Sequence, residues 1–117
     1  MKKFMGLLGL LFGLSQGGPV FANTENMIIL DVRTAQEFNE THVEGAKNYD
    51  IFSADFKDQM LKLDKNKTYK VYCRSGNRSG QAEKIMKSLG FKDVENVGSV
   101  AEASRRLNKK CSGKKSC

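Results

Sequence analysis

A chain of 117 residues has room for one small domain, and a formal charge of +7, from 20 Lys and Arg against 13 Asp and Glu, points first to an anionic partner. The distribution of that charge removes nucleic acid from the reading: Lys2 and Lys3 carry +2, residues 105–117 carry +6, and residues 23–104 come to −1. The three cysteines are an odd number, so at least one thiol stays outside any disulfide within the chain.

The chain opens with Met1-Lys2-Lys3 and an uncharged Phe, Met, Leu and Gly run from Phe4 to Leu14. That run is shorter than the ~20 apolar residues of a membrane span and has the form of an export signal, with cleavage after Ala22 at Val20-Phe21-Ala22. No cysteine near the cleavage point offers a lipid anchor, so no stable membrane insertion is expected after cleavage, and the mature protein is placed in the periplasm. Residues 23–104 form the domain, and residues 105–117 a basic tail.

Met27 to Val32 is an apolar strand of the kind buried on both faces. Thr34 caps a short helix through Phe38, Lys47 to Ile51 is a weak second strand, and Ser53 caps a helix to Leu63 with Phe56, Met60 and Leu63 on one face. A strand over 69–72, a helix over 79–89 ended by Gly90, a strand over 94–97 and a helix over 100–108 follow. Strands separated by helices imply an α/β fold with a mainly parallel central sheet covered on both faces, whose sites lie at the carboxyl ends of strands. Asp31 and Cys73 both fall there.

Cys73 stands between the end of the 69–72 strand and the start of the next helix, where loop N–H groups and the helix dipole converge. Such a place favours a thiolate over a thiol. Arg74, Ser75, Gly76, Asn77, Arg78 and Ser79 are poor core material and good lining for an anion, with Arg74 and Arg78 offering fork-shaped donors at the surface. Asp31 and Arg33 are supporting residues: the carboxylate accepts N–H bonds from a neighbouring loop, and Arg33 is expected to pair with Glu37. No metal or organic cofactor is called for.

The loop Cys73-Arg74-Ser75-Gly76-Asn77-Arg78-Ser79 resembles the active-site loop of the rhodanese family of sulfurtransferases. Leu30-Asp31-Val32-Arg33, His42-Val43-Glu44-Gly45-Ala46 and Val94-Glu95-Asn96-Val97-Gly98 resemble the family's other blocks, in order, over about residues 26–100. The small exported single-domain type of the phage-shock kind is the nearest in form. The resemblance implies a rhodanese-like domain in which Cys73 takes a sulfane sulfur from thiosulfate or a similar donor, becomes a persulfide, and passes the sulfur to cyanide or a thiol. It also implies a structural His42. Partners would be a small-molecule donor and acceptor, with a monomer as the expected state. One departure stands out: the last strand runs into Gly98-Ser99-Val100 instead of a glycine pair, and the chain has no tryptophan.

Three other classes compete. Phosphatase or arsenate chemistry on a related loop needs five residues between cysteine and arginine, and here four separate Cys73 from Arg78. A non-catalytic rhodanese-like module for sulfur, anion or protein binding in the cell envelope usually lacks the cysteine. A dithiol oxidoreductase needs Cys-x-x-Cys. For the tail, Lys109 to Cys117, the expectation is a mobile solvated end in which Cys111 and Cys117 pair with each other and leave Cys73 free.

Overall fold

The structure, a computed structural model, describes residues 27–117, so the expected export signal over 1–22 lies outside the described residues. In chain order the elements are β1 Met27–Asp31, α1 Ala35–Glu40, β2 His42–Val43, β3 Lys47–Asn48, α2 Phe56–Leu61, β4 Thr68–Cys73, α3 Asn77–Ser88, β5 Asp93–Ser99, α4 Val100–Leu107 and β6 Cys111–Ser112. The main sheet has the order β3-β1-β4-β5 with every neighbour parallel.

The unbroken apolar run of β1 is explained by two cores. Ile28 and Leu30, with Tyr69, Val71 and Cys73 of β4 and Val94 of β5, face Phe56 and Met60 of α2 and Ala82 and Met86 of α3. Ile29, Tyr72 and Val97 face the other way, onto Val43, Val100 and Ala103. Each fully buried Leu or Met contributes roughly 1.5–3 kcal/mol by leaving water, and the sheet draws on both faces.

Several boundaries differ from expectation for local reasons. Helix α1 is fixed at its start by the reciprocal capping box of Thr34 and Glu37 and continues to Glu40, ending where Thr41 turns extended with its N–H still donating to Glu37 O. The ladder of β3 stops at Asn48, although the Tyr49 and Ile51 N–H groups still donate to the Asp31 and Val32 carbonyls. Helix α2 starts at Phe56, not Ser53: the Ser53 hydroxyl bonds the Asp55 carboxylate, and Asp55, at the cap position, makes no side-chain cap. Helix α3 starts two residues early, at Asn77, because Gly76 turns the chain at φ 99°.

The mobile tail is corrected. Strand β6 pairs antiparallel with β2, the Glu44 N–H donates to Lys110 O at 2.8 Å, and the Lys115 N–H donates to Glu40 O at 2.8 Å. Cys111 packs against the second core and is disulfide-bonded to Cys117, while Cys73 is a free thiol. The missing tryptophan does not loosen the carboxyl end, because Ser99 and Glu102 form a second capping box and α4 buries Val100 and Ala103. Among the described residues, no helix is long and apolar enough to cross a membrane.

Candidate active site

The alternation along β4 sends the Cys73 side chain to the face covered by α3, and Gly76 folds the following loop back over it. The Gly76 N–H donates to Cys73 Sγ at 2.9 Å, and Ser79 Oγ lies 3.3 Å from the same sulfur. Cys73 and Ser79 are both fully buried. Burial alone would push the thiol up; the Ser79 hydroxyl and the backbone N–H groups of Ser79, Ser75 and Gly76 outweigh it, and the thiol titrates below its ordinary value. The arrangement is therefore a nest of donors around one sulfur, able to hold negative charge on Sγ or on an atom attached to it.

Of the expected anion-binding side chains, Arg74 stands exposed on the loop and Asn77 is exposed at the start of α3. Arg78 is not free at the surface. Its Nη1 and Nη2 each donate at 2.9 Å to a different oxygen of Glu37, and its guanidinium lies 5.5 Å from the centre of the exposed Phe52 ring. The Arg78 fork holds the Glu37 carboxyl well down, to about 2, against a smaller opposing effect of burial. Arg78 therefore brings positive charge beside the loop with its fork already engaged.

The expected Arg33–Glu37 pair is replaced by Arg33–Asp31. The Arg33 N–H and Nε donate to Asp31 Oδ1, both at 2.9 Å, and Nη2 donates to Oδ2 at 2.7 Å. With Asp31 at 0% and Arg33 at 4% exposure, this is a buried structural pair, satisfied further by Arg33 Nη2 donating to Thr41 O. His42 is structural: its ring stacks on Phe38 at 3.8 Å and its Nδ1 bonds Phe38 O at 2.8 Å. A hollow of about 430 Å³ lined by Ile51, Phe56, Lys57, Asp58 and Ile85 among others includes no residue of the Cys73 loop, so it is separate from the sulfur nest.

Two residues of the site escaped sequence reasoning. Glu37 carried a partial signal in the Thr34-x-x-Glu37 capping box, which fixes the carboxylate but says nothing of Arg78, 41 positions away. Asn96 carried only the strand face that counting in twos from Val94 gives. Its Oδ1 lies 2.7 Å from Ser79 Oγ and accepts the Gly98 N–H at 2.9 Å, while its Nδ2 donates to Gly76 O at 2.9 Å.

The chain matches the family described as Rhodanese-like domain over residues 21–102. It is 39% identical over 101 residues to the thiosulfate sulfurtransferase PspE of Escherichia coli, covering 86% of this chain and 90% of that one. It is 35% identical to the thiosulfate sulfurtransferase GlpE of Pseudomonas savastanoi, covering 62% and 67%. Among solved structures it is similar to an E. coli rhodanese with anions, at 36% identity and TM-score 0.58 over 65% of this chain and 89% of that one. It is also similar to the rhodanese-like domain of the Alr3790 protein from Anabaena, at 26% identity and TM-score 0.63 over 74% and 80%. The parallel sheet and the single-cysteine strand-to-helix loop thus define an α/β domain of the sulfurtransferase class. More particularly, the chain belongs to the rhodanese-like family.

Proposed function

We propose that this protein is a thiosulfate sulfurtransferase working through a Cys73 persulfide. The Cys73 thiolate attacks the outer sulfur of thiosulfate; a Cys–S–S bond forms, and sulfite leaves with the electron pair of the broken S–S bond. The persulfide's charge then sits on the outer sulfur, within the field of the loop N–H groups. Cyanide or a thiolate attacks that outer sulfur, and the Cys73 thiolate is the leaving group. Atoms and electrons balance without a cofactor. Arg74 is the exposed cation for the donor's oxyanion end, and Arg78 acts through its charge while paired with Glu37.

The observation that carries this reading is the convergence of the Gly76 N–H and the Ser79 hydroxyl on a thiol whose titration is lowered despite complete burial. Full burial favours a donor that offers one terminal sulfur over a bulky one. The direct test is thiocyanate formation from thiosulfate and cyanide by the wild type and by Cys73→Ser; equal rates would remove Cys73 from the mechanism. We further propose export to the periplasm after cleavage at Ala22. The Cys111–Cys117 disulfide supports an oxidising compartment, and fractionation of cells expressing the full chain checks it.

A further inference from the structure

Ser79 has one hydroxyl proton and two acceptors. Its Oγ lies 3.3 Å from Cys73 Sγ and 2.7 Å from Asn96 Oδ1, and a hydroxyl donates to one of them at a time. The Asn96 amide is held from both ends, with Nδ2 on Gly76 O and Oδ1 on the Gly98 N–H, so it presents oxygen and not nitrogen to Ser79. Turning the amide over would set its NH2 against the Gly98 N–H and its oxygen against the Gly76 carbonyl. Position reinforces this. Asn96 pairs in register with Val71 of β4, and β5 then takes one residue more than β4 to bring Ser99 opposite Cys73. Asn96 precedes that bulge and shares the strand face of Val94, two residues before it, which packs with Cys73, Ala82 and Met86; this places it beneath the loop, where a Cβ added at Gly80 would already lie 3.4 Å from Asn96 Nδ2.

We propose that Asn96 is a positioning residue for Cys73, its Oδ1 accepting the Ser79 hydroxyl hydrogen bond while the cysteine sulfur is uncharged and giving it up when the sulfur becomes a thiolate. The inference rests on the persulfide reading. In the resting thiolate, Ser79 Oγ–H points to Sγ, and Asn96 Oδ1 keeps only the Gly98 N–H. Attack on the donor draws an electron pair from Sγ into the new S–S bond, the charge moves to the outer sulfur, and the hydroxyl turns to Asn96. Attack by the acceptor breaks that S–S bond and returns the pair to Sγ, and the hydroxyl turns back. Only rotation about the Ser79 Cβ–Oγ bond is involved; no bond to hydrogen breaks. Asn96 thus weakens the hydrogen bond that would otherwise favour the thiolate at all times, and makes Ser79 a donor that follows the charge.

The test is the pH profile of Cys73 alkylation by iodoacetamide in the oxidised full chain, whose other two cysteines are disulfide-bonded. Asn96→Leu removes the competing acceptor, leaves the Gly76 carbonyl its Gly80 N–H bond, and should shift the profile down by about half a pH unit or more. Asn96→Asp holds the proton harder and should shift it up. In a Ser79→Ala background the Asn96→Leu shift should vanish. The charged groups around the thiol, Arg74 of the loop, Arg78 of α3 with Glu37 of α1 behind it and the Asp31–Arg33 pair at the end of β1, are unchanged in Asn96→Leu and Ser79→Ala. Asn96→Asp, by contrast, adds a carboxylate whose charge also pushes the profile up, so the deciding result is the Asn96→Leu shift and its loss in Ser79→Ala. A purely structural Asn96 would loosen the loop in both variants and move both profiles up. That result, an unmoved profile, or an Asn96→Leu shift that survives Ser79→Ala would overturn the proposal. If Asn96→Leu does not fold, Asn96→Ala carries the same expectation. Absence of thiocyanate formation by the wild type would remove the sulfur-transfer reading without touching these profiles.

Discussion

Cys73 needs charge stabilisation, while Glu37 and Arg78 beside it are already committed to each other, and the two facts separate in mutants. Cys73→Ser preserves volume and should leave the thermal midpoint within a few degrees while sulfur transfer to cyanide is lost. Glu37 gives a pH signature. Its folded titration, held at about 2 chiefly by the Arg78 hydrogen bonds, lies below the unfolded carboxyl value, so its contribution to stability is complete above roughly pH 4.5 and is lost as pH falls toward 2. Urea midpoints of the wild type should therefore fall across that window, and Glu37→Gln should flatten the fall; an equally steep fall in the variant would mean that other carboxylates cause it. For Asp31→Asn the expected loss is larger, about 3–5 kcal/mol in chemical denaturation, because Arg33 is left buried without its counter-charge.

At the scale of elements, β5 and its junction with α4 set one wall of the site. Gly98 sits at φ 91°, and a Cβ there would run into the Glu102 carboxylate, so Gly98→Ala combines backbone strain with disruption of the Ser99–Glu102 capping box. Ser99→Ala should cost about 1 kcal/mol of stability by loss of the cap alone, and Gly98→Ala more than that, in parallel urea titrations. The same junction shows where sequence reading stops. The strand-to-helix turn at Cys73 was legible because residues 69–72 alternate, the helix beyond has a 3.6-residue apolar face, and the residues between can only be loop. Asn96 was only half legible: counting in twos from Val94 gives its face of the strand, but that this position lies under the Cys73 loop is visible only once β4 lies beside β5. The Arg78–Glu37 pair was hidden for a related reason. Charge and spacing made Glu37 a neighbour of Arg33, but the Asp31 carboxylate, two residues before Arg33 and fully buried, takes that guanidinium first.

For the molecule as a whole, the carboxyl-terminal segment is part of the fold. A lysine-rich stretch without hydrophobic periodicity reads as a solvated tail, and what ties it down is backbone pairing with β2 and a disulfide, neither of which needs an apolar pattern. With a sequence separation of 6, the Cys111–Cys117 link closes a small loop, and Cys111→Ser/Cys117→Ser should lower stability by about 2 kcal/mol while sulfur transfer stays near the wild-type rate. Loss of activity in that double mutant at a temperature where it remains folded would tie the tail to the site. The central claim, sulfur carried on Cys73, is tested most directly by the intact mass of the purified protein before thiosulfate, after thiosulfate, and after subsequent cyanide. The account predicts the gain of one sulfur atom and then its loss, with neither change in Cys73→Ser. No gain in the wild type, or the same gain in Cys73→Ser, would contradict it.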